Sequence, residues 1–167
     1  MILAILLSIL LGAVLTASYW AYRVAFYVPR NYQEDIYEMP RGAQSPQHQE
    51  KMRSCIKKLN DLPYESVTIT SQDGKTLFGR YYHTRDGAPV QIQFHGYRGS
   101  AMRDFCGGTP LARNLGHNAL VVDQRCHGRS QGHTITFGIR ERYDVQSWAN
   151  YAYHRFGPNT PLILSGV

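Results

Sequence analysis

Acidic residues are scarce in this chain of 167 residues, and cysteines are scarcer. Asp and Glu number 12 against 18 Lys and Arg, which leaves a formal net charge of +6. Most of the cations are arginine, and they run from Arg23 to Arg155 without gathering on one helix or loop. A nucleic-acid surface concentrates its cations, so the scatter argues for a generally basic surface and against a nucleic-acid partner. The three cysteines, Cys55, Cys106 and Cys126, are odd in number and far apart, which excludes a disulfide framework and a CxxC pair. A zinc site built from Cys106, Cys126, His127 and His133 would follow no established ligand spacing, because Cys126 and His127 are adjacent. Neither GxxxxGK[ST] nor GxGxxG occurs, although "HGYRGS" and "FCGGTP" hold glycines, so a nucleotide is disfavoured. No cofactor or metal is expected. Internal repeats and low-complexity tracts are also missing, and the length suits one domain with a real core.

The most informative absence is at the N-terminus. From Met1 to Tyr22 there is no charged residue, and Leu, Ile, Ala and Val dominate. As a helix this run reaches ~33 Å at ~1.5 Å per residue, enough to cross a hydrocarbon core of ~30 Å. Tyr19, Trp20 and Tyr22 close it with an aromatic group suited to a membrane interface. A cleaved signal peptide fits less well: no Lys or Arg precedes the run, and Thr16-Ala17-Ser18 is a mediocre cleavage site. The reading is an uncleaved anchor, with the lipid bilayer as partner through residues 1–22. Arg23, Arg30 and Arg41 all come after the run, and the positive-inside rule sets the domain in the cytoplasm. One segment with few charges does not fix the side.

Residues 29–44, with Pro29, Pro40 and Gly42, read as a stalk. Ser45-Pro46 then suits an N-cap and N1 pair, and Met52, Cys55, Ile56 and Leu59 share a helical face. "YESVTITSQDGKTLFGRYYH" reads as a β-hairpin turning at Asp73-Gly74. Strands come next at Val90–Phe94 and Asn118–Asp123. Between them lies a short helix capped by Thr109-Pro110, bearing Leu111 and Leu115 and closed by Gly116. A helix from about Ile139 to Phe156 carries Val145, Trp148, Ala149, Ala152 and Phe156 on one face and stops at Gly157-Pro158. "PLIL", Pro161 to Leu164, is apolar on both faces and is expected to be a fully buried strand. The alternation implies a parallel sheet with helices on both faces.

In such sheets ligands bind beyond the C-terminal strand ends. Three segments stand there: "FHGYRGS" (94–100), "VDQRCHGRSQG" (122–132) and the terminal "SGV". His-Gly after one strand, D-x-R-x-H-G-x-S after the next and a strand into Gly-x after the third make a specific set. The chain resembles the α/β-hydrolase superfamily over roughly residues 60–167. It is most similar to bacterial membrane-anchored serine hydrolases of the serine aminopeptidase and monoacylglycerol-lipase-like branch. The fold class expected is α/β: an α/β-hydrolase fold, N-terminal half only, with a β-hairpin and then parallel strands with crossover helices, preceded by one transmembrane helix. The organisation expected is an anchor over 1–28, a stalk and helix over 29–62, and an incomplete hydrolase domain over 63–167.

The resemblance implies hydrolysis of an ester or amide bond in a small-molecule or peptide acyl substrate, through an acyl-enzyme. It gives the Tyr97 backbone N–H to the oxyanion hole, where one donor is worth about 3 kcal/mol. Gly96 and Gly99 allow close approach of the loop backbone, and His95 and Arg98 shape the loop. His95 as a general base, and His127 paired with Asp123 or Ser130, are rival readings. The favoured one has Asp123, Arg125, His127, Gly128 and Ser130 supporting the pocket wall. Cys126 stands where relatives usually have glycine, so a positive φ there would bring strain. Gly166-Val167 supplies the "G-x" of a G-x-S-x-G elbow, and Ser165 precedes it. In this fold acid and histidine come after the nucleophile, whereas all seven histidines here precede the elbow. The expectation is that the 167 residues lack the triad and are inactive alone. The alternative is a non-catalytic, membrane-tethered binding form.

Overall fold

The computed structural model describes residues 1–29, 35–39 and 45–167. The stalk expected over 29–44 therefore lies largely outside the described residues. The N-terminal run forms one helix, α1 (Ile2–Ala25), exposed from Ile2 to Val24. It is long and apolar enough to cross a membrane. Ser45 caps α2 (Pro46–Asn60), with Pro46 in the first turn.

Beyond α2 lie five strands: β1 (Glu65–Thr70), β2 (Thr76–Tyr82), β3 (Val90–Phe94), β4 (Asn118–Asp123) and β5 (Leu162–Gly166). They form one sheet in the order β1-β2-β4-β3-β5. The β1–β2 hairpin and the β2–β4 pair are antiparallel, while β3 runs parallel to both β4 and β5. The sheet is thus mixed, with β4, β3 and β5 as its parallel part.

Side-chain alternation along β4 builds two cores. Leu120 and Val122 face a cluster with Leu77, Ile92 and Trp148 from α5 (Glu141–Phe156). Ala119 and Val121 face the other cluster, with Ile56 and Leu59 of α2 and Met102 of α3 (Ala101–Asp104). Every residue of β4 is buried, because helices cover it on both faces and strands flank both edges.

Two expectations need correcting. The helix after α3, α4, spans Gly108–Asn114 and is not capped by Thr109. The Thr109 hydroxyl instead donates to Gln93 Oε1 on β3 at 2.6 Å, so Thr109 and Ala112 are buried while Leu111 and Leu115 face out. The last strand is also not fully buried. It pairs only with β3 among the described residues, and Ile163 and Leu164 are 36% and 54% exposed. A doubly apolar run requires cover on both faces and both edges, and β5 has it on one edge only. A smaller shift concerns α5, which starts at Glu141 and buries Asp144 beside Trp148 and Ala152. A carboxylate on the core face is invisible to a pattern of apolar spacing.

Candidate functional site

The parallel strands deliver their C-terminal ends to one side of the sheet, where loops 95–100 and 124–132 meet the end of β5. They bound a cavity of about 200 Å³ lined by His95, Tyr97, Gln124, His127, Phe137 and Val167, among others. Val167 donates its N–H to Phe94 O at 3.3 Å, continuing the β3–β5 ladder. This presses the end of β5 against the loop after β3. A Cβ on Gly96 would stand 3.2 Å from the Val167 carbonyl oxygen, so only glycine fits without displacement.

Loop 95–100 is folded around Asp104. Its Oδ2 accepts the Gly96 N–H at 3.0 Å, and a Cβ on Gly99 would run into the same carboxylate. Gly99 N–H donates to Gly96 O at 2.9 Å, closing a tight turn that holds Arg98 at φ 51°. Within this turn the Tyr97 N–H has no hydrogen-bond partner among the described residues. The Tyr97 ring is 51% exposed and stacks on Phe137 at 4.8 Å.

His95 is buried, with both ring nitrogens engaged. Nε2 accepts the Gln124 N–H at 3.0 Å, which leaves the proton on Nδ1, bonded to Gly96 O at 3.0 Å. The Gln124 side chain returns a bond to His95 O, so the two loops are stitched together at this pair. Burial, reinforced by His127, pushes the His95 ring down to about 4. His127 lies edge-on at 4.7 Å, and burial lowers it too. Its Nδ1 bonds Arg125 O at 2.9 Å, and its Nε2 has no partner among the described residues. His127 therefore holds one unpaired acceptor buried behind the cavity wall.

The remaining residues of the second loop are tied down. Asp123 accepts from Arg80 at 3.1 Å and from the Arg129 N–H at 3.0 Å. Gly128 has φ 51° and leaves no room for a Cβ beside the Asp123 carboxylate. Ser130 donates to Asp123 O at 2.6 Å and accepts the Phe78 N–H at 2.8 Å, so its hydroxyl is spent on joining the loop to β2. Arg125 is bidentate to Asp144 at 2.6 and 2.7 Å and reaches Asp73 at 3.2 and 3.3 Å. The Ser71 hydroxyl first, then Arg125, holds the Asp73 carboxyl down to about 2. Cys126 adopts φ 69°, the strained state that cysteine at this position implied, and burial pushes its thiol up to about 11.

The structure thus gathers His95, Gly96, Tyr97, Arg125, His127 and Val167 at one cavity. Asp123, Gly128 and Ser130 are not among its lining residues, and Arg98 and Gly99 line a separate small cavity with Tyr27, Val28 and His127. Three contributors were missed in the sequence. Gln124 looks like an ordinary loop residue. Phe137, at φ 48°, lies in a stretch without periodicity. Glu141 accepts the Thr136 hydroxyl at 2.6 Å and the Gly138 N–H at 2.8 Å. Burial opposes its charge, but these donors prevail and lower its pKa. The one signal for it was a Thr and a Glu flanking the start of α5.

No family model and no curated protein matches the chain. Solved structures do. An esterase of Pyrococcus furiosus superposes with a TM-score of 0.59 at 24% identity, over 77% of this chain and 48% of that one. An alpha/beta hydrolase from Penicillium sp. sh18 gives 0.58 at 19% identity, over 64% and 38%. The esterase of Pyrobaculum calidifontis gives 0.52 at 21% identity, over 72% and 41%. The chain spans about half the length of these proteins or less. The likeness shows that it has the α/β-hydrolase fold.

Proposed function

We propose that this chain is the N-terminal part of a membrane-anchored serine hydrolase that cleaves ester or amide bonds through an acyl-enzyme, of the serine aminopeptidase and monoacylglycerol-lipase-like branch. The observation that carries the reading is an unbonded Tyr97 N–H on the cavity that the end of β5 also lines, next to Gly96, which packs closely on Val167. A nucleophile placed directly after Val167 would emerge beside that N–H. An acyl carbonyl attacked there would develop its negative charge at a donor already in place. Val167 thus ends the approach to the elbow, and the triad acid and histidine belong to later segments of the fold.

The other residues have supporting roles in this scheme. His95, with both nitrogens engaged, braces the oxyanion loop against the loop after β4. Asp123, Arg125, Gly128 and Ser130 hold the second loop. The exposed helix α1 anchors the domain to the bilayer.

The test separates the Tyr97 main chain from its side chain, in the protein read on past the Val167 codon. Tyr97→Pro removes the N–H and is expected to lower kcat for an ester substrate ~100-fold with little change in KM. Tyr97→Phe keeps the N–H and is expected to hold kcat within a few-fold. Equal losses in both, or loss in neither, would remove Tyr97 from the oxyanion hole.

A further inference from the structure

The last carbonyls of a helix have no partner within it and are satisfied by caps, water or other groups. At the end of α1 they are satisfied by the candidate oxyanion loop. Arg98 donates to Val24 O at 2.6 Å and to Tyr27 O at 3.4 Å, while the Tyr97 hydroxyl donates to Ala25 O at 2.7 Å. Arg98 Nε bonds that hydroxyl at 3.0 Å, so the two side chains act as one cap. A cation at a helix C-terminus also complements the macrodipole.

The contact extends beyond the cap. Tyr22 shares a hydrogen bond with Thr134 at 3.0 Å, and across the same seam Val28 N–H donates to His133 O at 2.9 Å and Ile135 N–H to Phe26 O at 2.8 Å. Phe26 meets Phe137 edge-on at 5.3 Å, and Phe137 stacks on Tyr97. A flexible tether would need none of these bonds.

We infer that the end of α1 and the rim of the candidate cavity form one surface that sits in the headgroup layer of the bilayer. This rests on α1 being an inserted anchor. At ~1.5 Å per residue, the 24 residues of α1 measure ~36 Å. A hydrocarbon core of ~30 Å takes up about twenty of them, so the chain leaves the core near Trp20 to Tyr22. Contact with the domain begins at Tyr22, with no spacer. Phe137, on the rim, and Ile139, two residues further along, are 57% and 68% exposed, and Phe26 is 37% exposed. Aromatic and apolar side chains at this depth are at home among headgroups and upper acyl chains. Arg23, stacked on Tyr27 at 4.1 Å, and Arg98 put cations at the same level, where lipid phosphates lie. The cavity is then filled from the membrane surface, and Arg98 is the positioning residue that keeps it there.

Photo-crosslinking tests this without any need for activity, so its failure and failure of the hydrolase reading are distinct. p-Benzoylphenylalanine is placed singly at Leu10, Phe137, Ile139 or Tyr153 in vesicles of phosphatidylethanolamine and phosphatidylglycerol, and lipid adducts are read by mass spectrometry. Tyr153, in the last turn of α5 at the far end of the sheet, is the reference. Adducts are expected at Leu10, Phe137 and Ile139 and not at Tyr153. Arg98→Ala is expected to cut the Phe137 and Ile139 adducts several-fold with Leu10 unchanged, and Arg98→Lys to retain most of them. Adducts at Leu10 without adducts on the rim would overturn the inference and leave the anchor standing. Adducts also at Tyr153, or rim adducts indifferent to Arg98→Ala, would overturn it as well. A Leu10 position free of adducts would remove anchor and inference together.

Discussion

At His95 both ring nitrogens are engaged, Nδ1 with the Gly96 carbonyl and Nε2 with the Gln124 N–H, and the ring is sealed from solvent. Its neutral form is therefore the one the fold accepts. The unfolded chain protonates this histidine near 6.5 and the folded protein only near 4. Between those values the unfolded state binds the extra proton, so stability falls as pH drops from 6.5 towards 4 and levels off below. The difference amounts to about 3 kcal/mol. His127 shifts in the same direction and deepens the effect. Asp73 acts lower: its carboxyl, held at about 2 against 3.8, contributes stability that is lost only as pH falls through that range. Urea midpoints of the detergent-solubilised chain should therefore decline from neutral pH to pH 4. His95→Gln should show a shallower decline, starting from a lower midpoint. Equal slopes would mean that the ring is not buried neutral.

At the scale of elements, Arg125 does the joining. Its side chain is 3% exposed and clasps Asp73 in the β1–β2 turn and Asp144 on α5 while its backbone belongs to the loop after β4. Removing one member of such a pair strands a buried charge. Asp144→Ala is expected to destabilise the chain by about 3 kcal/mol. Replacing the pair together, Arg125→Met with Asp144→Leu, should cost less than Asp144→Ala alone, because no buried charge is left unpaired. Denaturant titration of the three proteins decides it, and a single substitution as mild as a surface exchange would contradict the clasp.

The strands, the hairpin and the helix beginning at Ser45-Pro46 were legible in the sequence because period and turn chemistry are local signals. The burial of β5 was not, since it depends on what lies beside the strand. Thr109 misled for a related reason: a good capping residue was taken by Gln93, a partner on another element. The motifs pointed to the loops and favoured supporting roles for His95 and Ser130, but the partners that engage the ring and the hydroxyl come from other segments. Ser130 and His95 look reactive in one dimension and are engaged in three. Gln124, Phe137 and Glu141 had no motif at all, because their roles arise where separate loops meet.

On the scale of the whole molecule, an apolar helix ends on the loop that would hold an oxyanion, and the parallel strands carry that loop to the end of β5. All of the proposed catalysis turns on the residue after Val167. The direct measurement is to express the protein from its gene read past the Val167 codon, treat it with a fluorophosphonate probe, and map the adduct by mass spectrometry. A serine hydrolase with this elbow gives one adduct, on a serine immediately after Val167, and no labelling of the 167-residue chain. An adduct on Ser100, Ser130 or Ser165, or a gene with no serine at that next position, would contradict it.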